Sequence, residues 1–491
     1  MAAQFPTWEQ KSWYGGFSDD RFLGLENSFR YAKGVEIRKN PYSLTLAYAA
    51  EKNSATTVDT LINKMLTIKS TGDIIGFGSN GKIFRKPTGT GAWELVYTDT
   101  GTAKIFDGYE YNSYLYWATS DALHRIAVTN IDADWSGFVT EDYKVFANDN
   151  ASYHPMLEVF NKLFVGDGYY LAELDSFGVW TDNKLKIFED EVIKVITFSG
   201  QYMRFYAEKS HKVDQSSKYF WNVSDTTYNE RIPYYQIIHS AFVYRGQDYV
   251  IAGVHPFIYL SSGYELTEVK RLPLVYDSEK FFMSSNAIDV YDNLLIFAPA
   301  SSGSTASIGR GIWTWGRENK NYPDSLNFDY PTSNDNATDL IGCVHNSNGV
   351  LYMAWSNAGG TVFGIDVINT AKFRATGELH SRVMHGNDPA HEKELRKIAI
   401  SFDKLAAGEK IQTFFRKNLA TTWEASAELT VDYDVTADRD IYFKDQDDAA
   451  EIGDFVFLES KILLTAGTSQ ATTPELVQVN IAFDERIEKT D

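Results

Sequence analysis

Five aspartates beside short apolar segments are the residues of this sequence best suited to acid–base chemistry. Glycoside hydrolases use two or three such carboxylates as acid, nucleophile and transition-state stabiliser. Aspartate in a turn also accepts hydrogen bonds from the backbone, and a chain with 66 acidic residues offers many such positions. We therefore expect structural turns, with a hydrolase as the alternative. The five aspartates are Asp73, Asp107, Asp167, Asp289 and Asp366.

No recognised carboxylate motif accompanies these aspartates. The sequence contains neither Ser-x-Asp-x-Gly-x-x-Trp, the aspartate box of sialidases, nor Asn-Asp-Pro-Asn-Gly, the start of invertase-like enzymes. The stretch NDPAH from Asn387 lies toward the wrong end of the chain. We expect no catalytic residue and no enzymatic activity.

The sequence also gives no pattern for a metal or a cofactor. Its nine histidines stand singly, without the close pairs that chelate a metal from one strand or helix. His154 and His255 each precede a proline, which suggests one repeated turn. The acidic run at Asp445 lacks the spacing of a calcium loop, and the glycines from Gly89 precede no helix that could bind phosphate.

Charge and cysteine content exclude further classes. A formal charge of −20 repels nucleic-acid phosphates over most of the surface. Cys343 is the only cysteine, so we expect no internal disulfide and a buried thiol on a strand. The first residues lack the basic and apolar regions of a signal peptide, and no apolar run approaches the roughly 18 residues of a membrane helix. We expect synthesis in a cytoplasm and no membrane insertion.

Alternating apolar and polar residues predict an all-β fold. Segments such as 81–85, 93–97 and 114–118 are short runs of β-branched or aromatic residues bounded by Gly, Asn, Asp and Ser. Helical periodicity is nearly absent. The best helical candidate is TVDTLINK at residues 57–64, one short helix at most.

A pair of strands around a polar turn recurs seven times, about every 40 to 55 residues. This period suits the four-stranded blades of a β-propeller, because each blade buries its faces only against its neighbours. We predict a propeller over residues 35–385, with seven blades and with six or eight as alternatives. The copies begin at Gly72, Asn112, Asn161, Gln201, Gly246, Asp292 and Asn348.

Composition divides the remainder of the chain into two parts. The polar stretch around residues 384–394 predicts a boundary near 386. Alternating strands beyond it predict a β-sandwich or jelly roll over residues 386–491. Residues 1–34 are poor in strand signals, and we interpret them as an arm that packs on the ring or on a neighbouring subunit.

The stretch GIWTWGRENKNYPDSLNFDY, residues 311–330, is unusually rich in aromatic rings. Trp313 and Trp315 lie two residues apart on one strand, hence on one face, where a neighbouring blade would cover them. The segment that follows is expected to be exposed and to meet a partner. Its candidate interface residues are Tyr322, Pro323, Asp324, Phe328 and Tyr330.

Four stretches resemble a family of tailed-bacteriophage virion proteins, known as tail or minor structural proteins, that combine an N-terminal propeller with a C-terminal β-sandwich. The resemblance implies a structural component of the tail or of its junction with the head, synthesised in the host cytoplasm and assembled as a symmetric homo-oligomer with other tail or neck proteins. It supplies no catalytic residues. A carbohydrate-active propeller enzyme, or a tail protein that binds a host glycan without turnover, is the alternative. The four stretches are residues 22–46, 73–86, 152–174 and 311–330.

Overall fold

The computed structural model describes an all-β chain, which confirms the predicted fold class. Strands make up nearly all of its regular structure, with one short 3-10 turn at Val128–Asn130. The predicted boundary at residue 386 and the acidic run at Asp445 lie outside the described residues. The structure describes residues 7–485 except 19, 21, 26, 41, 54–57, 90, 102, 133, 149–151, 211, 274–280, 302–308, 386–390, 431–438 and 443–454.

The described residues form 43 strands, which we number in chain order. The first nineteen are β1 Thr7–Gln10, β2 Gly16–Phe17, β3 Ser28–Phe29, β4 Tyr31–Lys33, β5 Val35–Glu36, β6 Thr45–Leu46, β7 Tyr48–Lys52, β8 Ile62–Thr67, β9 Ile74–Gly78, β10 Lys82–Lys86, β11 Glu94–Thr98, β12 Asp107–Tyr111, β13 Tyr114–Ala118, β14 Ala122–Ala127, β15 Thr140–Val145, β16 Met156–Val159, β17 Lys162–Asp167, β18 Tyr170–Leu174 and β19 Trp180–Lys186. The next eighteen are β20 Glu191–Ser199, β21 Tyr202–Lys209, β22 Lys212–Trp221, β23 Glu230–Tyr234, β24 Ile238–Tyr244, β25 Gln247–Ala252, β26 Phe257–Ser262, β27 Glu265–Arg271, β28 Phe281–Phe282, β29 Ile288–Tyr291, β30 Leu294–Phe297, β31 Ala300–Ser301, β32 Gly311–Gly316, β33 Ser325–Pro331, β34 Leu340–Ser347, β35 Val350–Ser356, β36 Phe363–Phe373 and β37 Thr376–His380. The last six are β38 Lys393–Phe402, β39 Lys410–Lys417, β40 Glu424–Leu429, β41 Arg439–Tyr442, β42 Leu458–Thr465 and β43 Leu476–Glu485.

The helix predicted at residues 57–64 is wrong. Thr57 lies outside the described residues, and the chain from Ile62 onward is strand β8. A register shift between Ile62 and Lys64 breaks the alternation of this strand, so Ile62 and Met65 are both buried. A bulged strand therefore reproduces the three-residue apolar spacing of a helix.

Seven four-stranded antiparallel sheets lie between residues 48 and 373 of the described chain. Five are built from strands that follow one another in sequence, and a sixth does so except that it omits the two-residue strand β31, which pairs with β28. The seventh combines β34, β35 and β36 with β7, which pairs with β36 from the N-terminal end of the chain. In order they are sheet 1 (β8–β11), sheet 2 (β12–β15), sheet 3 (β16–β19), sheet 4 (β20–β23), sheet 5 (β24–β27), sheet 6 (β29, β30, β32, β33) and sheet 7 (β34, β35, β36, β7).

The first strands of the seven sheets contact one another in a closed order. Each first strand meets the first strand of the next sheet, and β34 of sheet 7 returns to β8 of sheet 1. Separate apolar clusters fill the spaces between neighbouring sheets, for example between sheets 1 and 2 and between sheets 3 and 4. A closed cycle of four-stranded antiparallel sheets is the architecture of a β-propeller.

A recurring turn explains why the repeats were visible in the sequence. In five sheets the first two strands are joined by two residues with positive φ. Such a turn matches the twist of the strands and favours Asn, Asp and Gly at these positions. The pairs are Asn112–Ser113, Phe160–Asn161, Arg245–Gly246, Asp292–Asn293 and Asn348–Gly349.

Two further sheets contain the C-terminal strands, and both recruit strands from the N-terminal segment. One has the order β1-β43-β38-β41 and the other β4-β37-β42-β39-β40. Strand β37 ends at His380, so the second of these sheets begins before residue 386. The N-terminal segment therefore packs against this chain's own C-terminal sheets.

One continuous apolar core joins the C-terminal sheets to one side of the ring. It includes residues of sheets 5, 6 and 7, of the N-terminal segment and of both C-terminal sheets. Trp313 and Trp315 are buried in it, as expected from their spacing. The ring of Trp315 lies 5.3 Å from that of Tyr249 in sheet 5, and the ring of Trp313 lies 6.1 Å from that of Phe17. These tryptophans are packing residues.

Candidate functional site

The first strands of the sheets surround an axial cavity of about 590 Å³. It lies where these strands begin and is lined by residues from sheets 1 to 7 and from the loops that enter them. A second cavity of about 340 Å³ lies toward the ends of β8, β12 and β34. The two cavities share Lys64, Met65, Tyr109 and His345, so together they follow the axis of the ring.

Asp107 is the first of the predicted carboxylates that lines the axial cavity, where it joins three sheets. Its Oδ1 lies 3.0 Å from Lys64 Nζ of sheet 1 and accepts the Gly108 amide, and its Oδ2 accepts the Met156 amide of sheet 3 at 2.9 Å. Burial opposes the charge of Lys64, but the Asp107 carboxylate outweighs burial and raises the pKa of Lys64. Asp107 is thus held in an ion pair.

Asp289 is the second predicted carboxylate that lines the axial cavity, and its contacts join sheets 6 and 7. Its carboxylate accepts the amides of Val290 and Asn346, each at 2.8 Å, and lies 3.7 Å from Nδ1 of His345. The other ring nitrogen of His345 lies 2.8 Å from Thr67 Oγ1 of sheet 1. These contacts close the ring at its final junction.

The other three predicted carboxylates do not line the axial cavity. Each accepts backbone amides, as expected for turn aspartates: Asp73 from Thr88, Asp167 from Ala147 and Asn148, and Asp366 from Ser333. Burial raises the pKa of Asp366, whereas for Asp73 the Thr88 amide and Arg85 outweigh burial and lower the pKa. The fold therefore brings together only two of the five, and both already hold structural partners.

Lysines from sheets 1 and 4 and from the loop before β12 line the axial cavity, which sequence reasoning missed. Lys194 Nζ is 2.9 Å from the Glu208 carboxylate and lies over the ring of Tyr153. Lys104 is exposed to the cavity mouth, and its Nζ lies 5.0 Å from the centre of the Phe106 ring. Burial lowers the pKa of Lys104. Positions so far apart in sequence show no local pattern, and only ring closure brings them together.

Two buried histidines lie near the start of sheets 3 and 5, His154 just before β16 and His239 within β24. His154 Nδ1 donates to the Gly166 carbonyl at 2.9 Å, and His239 Nε2 donates to the Gly253 carbonyl at 3.0 Å. Burial lowers the pKa of each to about 4. His255 lies instead between β25 and β26, so the predicted equivalence of His154 and His255 is wrong. Within the described ranges, no group of three His, Cys, Asp or Glu residues could hold a metal ion.

Cys343 is buried on β34, as its sequence context predicted. Burial raises the pKa of its thiol well above the ordinary range. A buried thiol of this kind is a packing residue with little nucleophilic character.

Two of the predicted interface residues, Tyr322 and Asp324, meet the N-terminal segment and sheet 5 of the same chain. Asp324 lies 2.9 Å from Arg245, at the turn between the first two strands of sheet 5. The Tyr322 hydroxyl is 3.3 Å from that of Tyr42, and its ring lies 5.0 Å from the ring of Tyr14. Pro323, between them, is exposed.

The expectation that Phe328 and Tyr330 are exposed is wrong. Phe328 is 1% and Tyr330 6% exposed, because the N-terminal strands β2, β4 and β5 contact β33 and cover it. Phe328 stacks on Trp313 with 5.0 Å between ring centres. Burial raises the pKa of Tyr330 well above its ordinary value. Both residues are part of the core.

The sequence matches no protein-family model and no curated protein. Solved structures with some similarity include the extracellular domain of a protein described as a hybrid two-component system from B. thetaiotaomicron, at a TM-score of 0.45 and 12% identity over 74% of this chain and 44% of that one. Raptor from Chaetomium thermophilum gives 0.46 and 10% over 66% and 29%, and the β-propeller domain of Cps50 (Swd1) from Myceliophteria thermophila gives 0.45 and 7% over 65% and 98%. The chain spans less than half of the first structure, and similarities this low carry no argument about function. Among the described residues, no helix is long and apolar enough to cross a membrane.

Proposed function

We propose that this chain is a structural component of a tailed-bacteriophage virion, a tail or head–tail junction protein that acts as a rigid platform for other proteins. The observation that carries the proposal is the continuous core between the C-terminal sheets and one side of the ring. A protein can act as a rigid platform for its partners only if its own domains keep fixed positions relative to one another. A shared core and shared strands satisfy this condition.

The proposed architecture is a seven-bladed β-propeller followed by a β-sandwich. The closed order of contacts among seven first strands supports the number of blades. The two C-terminal sheets contribute alternating apolar residues from β39 and β43 to one core, which supports a sandwich. The propeller would then occupy residues 48–373, with the N-terminal segment built into the sandwich.

Buried polar contacts reinforce the junction between the ring and the N-terminal segment. Arg38 donates to the Ser325 carbonyl at 2.8 Å and to the Thr314 carbonyl at 3.1 Å, and it lies 3.3 Å from the Asp329 carboxylate. Asp329 also accepts hydrogen bonds from Thr314 and Asn327. This network links the N-terminal segment to sheet 6, which supports the expectation of an arm that packs on the ring.

The hydrolase alternative finds little support in this geometry. Asp107 is paired with Lys64 and with two amides, and Asp289 with two amides and His345. A glycoside hydrolase requires one carboxyl group that donates a proton and a second that remains free for attack or for activation of water. The non-catalytic proposal therefore accounts for both aspartates.

The platform requires a surface on which a partner can dock. We assign this role to the turn face, defined by Phe160, Phe177 and Tyr202 at the turns of sheets 3 and 4. Phe177 is 91% exposed, and Phe160 packs against Phe198 of the neighbouring sheet while it stays largely exposed. Exposed aromatic side chains on a rigid frame anchor protein interfaces. The resemblance to virion proteins suggests tail or neck proteins, or further copies of this chain in a symmetric ring, as the partners.

Purified particles test the proposal. We expect mass spectrometry of tailed virions from the system that encodes the chain to detect it, and immunolabelling to place it at the tail or neck. The double variant Phe160→Ser, Phe177→Ser should fold normally and enter particles about tenfold less well, the effect of losing a central aromatic anchor. Tyr235→Ser is the matched control, because Tyr235 is 83% exposed at the opposite end of the strands. Absence of the chain from particles, or equal incorporation of both variants, would overturn the proposal.

A further inference from the structure

The axial cavity has the size and the lining of a small-molecule site. Its volume of about 590 Å³ falls within the range of roughly 300–1,000 Å³ that ligand pockets occupy. Its wall includes the partly exposed rings of Phe106, Tyr109 and Tyr153 together with the amides of Asn63 and Asn286. Aromatic faces with a few convergent polar groups suit a ring that carries hydroxyl groups.

The amides in the wall are held in place by the ring. Asn63 Nδ2 donates to the Ile105 carbonyl at 3.0 Å, and Asn286 Nδ2 donates to the Phe106 carbonyl at 3.1 Å. The first bond joins sheet 1 to the loop before β12, and the second joins the loop before β29 to that same loop. The side-chain oxygens of the two amides are thereby oriented before a ligand arrives, since the closed ring has already fixed the groups that hold them. The oxygen of Asn286 also lies 3.5 Å from Lys64 Nζ, so it would accept a ligand hydroxyl beside this contact.

Of the three lysines that line this cavity, two are in ion pairs in the part of the chain that the structure describes. Lys64 is paired with Asp107 and Lys194 with Glu208, and Asp289 is satisfied by two amides and by His345. Lys104 has no carboxylate partner among the described residues. Its Nζ lies over the Phe106 ring, which places the charge beside an aromatic face.

We propose that the axial cavity binds a saccharide unit that carries one carboxylate, such as a hexuronic acid. Lys104 would pair with the carboxylate, Phe106 would contact the sugar ring, and Asn63 and Asn286 would bond to its hydroxyl groups. The site is independent of the platform role, since a ligand in the axis leaves the turn face free.

The single unpaired lysine favours a carboxylate over a phosphate monoester. A carboxylate brings one negative charge, which Lys104 neutralises. A phosphate monoester brings nearly two at neutral pH, so one would remain uncompensated in a partly desolvated cavity that already holds Asp107 and Asp289. A neutral sugar would leave Lys104 without a partner.

Calorimetric titration of the full chain with three monosaccharides tests this assignment. Glucuronate should bind, glucose should bind at least about tenfold more weakly, and glucose 6-phosphate should bind more weakly than glucuronate. Lys104→Met should weaken glucuronate about tenfold or more and leave the glucose affinity unchanged, while Lys104→Arg should retain binding. Lys404→Met, which removes an exposed lysine from the loop between β38 and β39, is the control and should bind as the unaltered chain does.

Three results would overturn the inference. One is no glucuronate binding at concentrations up to about 10 mM, about ten times the dissociation constant of a weak, 1 mM ligand. The second is equal affinity for glucuronate and glucose, and the third is unchanged glucuronate affinity in Lys104→Met. A circular-dichroism spectrum of each variant establishes that it is folded. None of these results bears on incorporation into particles, so the two proposals fail separately.

Discussion

Charged groups are arranged differently where the N-terminal segment meets sheet 6 and where the seven sheets meet on the axis. At the first place Arg38 and Asp329 are almost fully buried, and every contact of Arg38 described above lies within the chain. At the second place Lys64 is half-buried beside Asp107, and Lys104 faces the cavity mouth with no carboxylate partner among the described residues. The first site is closed and the second is open.

The comparison distinguishes charged groups that only fix the geometry of the fold from charged groups that can bind a ligand. A buried ion pair is seldom a net source of stability, because desolvation offsets its attraction, yet removal of one partner is expensive. The Arg38 network therefore fixes geometry. A charge at an open cavity is partly hydrated and can exchange water for a ligand, which is the role proposed above for Lys104.

The largest expected effect follows from removing one partner of the buried ion pair between Arg38 and Asp329. Arg38→Met should lower the free energy of unfolding by about 3–5 kcal/mol, because it leaves Asp329 buried without its cation. Urea denaturation followed by tryptophan fluorescence measures this loss. The double variant Arg38→Met, Asp329→Asn should recover part of it. A loss below about 1 kcal/mol would contradict the view that the network is closed.

The pH dependence of stability offers a second test of the closed site. Burial, which outweighs Arg38, raises the pKa of Asp329 to about 6. Between about pH 4 and pH 6 the folded state therefore holds a proton that the unfolded state has lost, so this group's contribution to stability falls as pH rises through that window. The fall should be about 2–3 kcal/mol.

Asp329→Asn should remove this part of the pH dependence. Urea midpoints at intervals from pH 4 to pH 7 compare the variant with the unaltered chain, and the difference between them should grow in favour of the variant as pH rises. Parallel curves for the two proteins would show that Asp329 titrates as an ordinary carboxyl and that the site is hydrated.

The open site should respond more weakly. Lys64→Met should cost about 1–2 kcal/mol, because Asp107 loses its cation but keeps the Met156 and Gly108 amides. Lys104→Met should change the free energy of unfolding by less than about 0.5 kcal/mol, since it breaks no contact with a carboxylate. Chemical denaturation measures both. A Lys64 effect as large as that of Arg38 would remove the distinction between the two sites.

Sequence reasoning succeeded where a short stretch determines its own conformation. Turn pairs such as Asn112–Ser113 and Asn348–Gly349 adopt positive φ, which Asn and Gly tolerate, and they marked the repeats. The spacing of Trp313 and Trp315 placed both rings on one buried face. Aspartates predicted to accept backbone amides do so, for example Asp167 with Ala147.

Sequence reasoning failed where the burial or the conformation of a residue depends on a segment far away in the chain. The aromatic residues around Tyr322 predicted an exposed interface. Phe328 is buried, however, because a segment roughly 300 residues earlier in the chain covers β33. The bulge after Ile62 had the spacing of a helix, and only pairing with β9 gives it the geometry of a strand. The first residues carry few strand signals, because β1 exists only through its pairing with β43.

The sequence by itself determined the all-β class, the repeated turns and the positions of the buried tryptophans, because alternation and turn chemistry act over a few residues. Only the tertiary structure decided that β7 completes sheet 7, that β4 joins the C-terminal strands, and that Lys64, Lys104 and Lys194 line one axial cavity. These outcomes depend on ring closure and long-range strand pairing, in which residues far apart in the chain meet because their apolar faces must be covered.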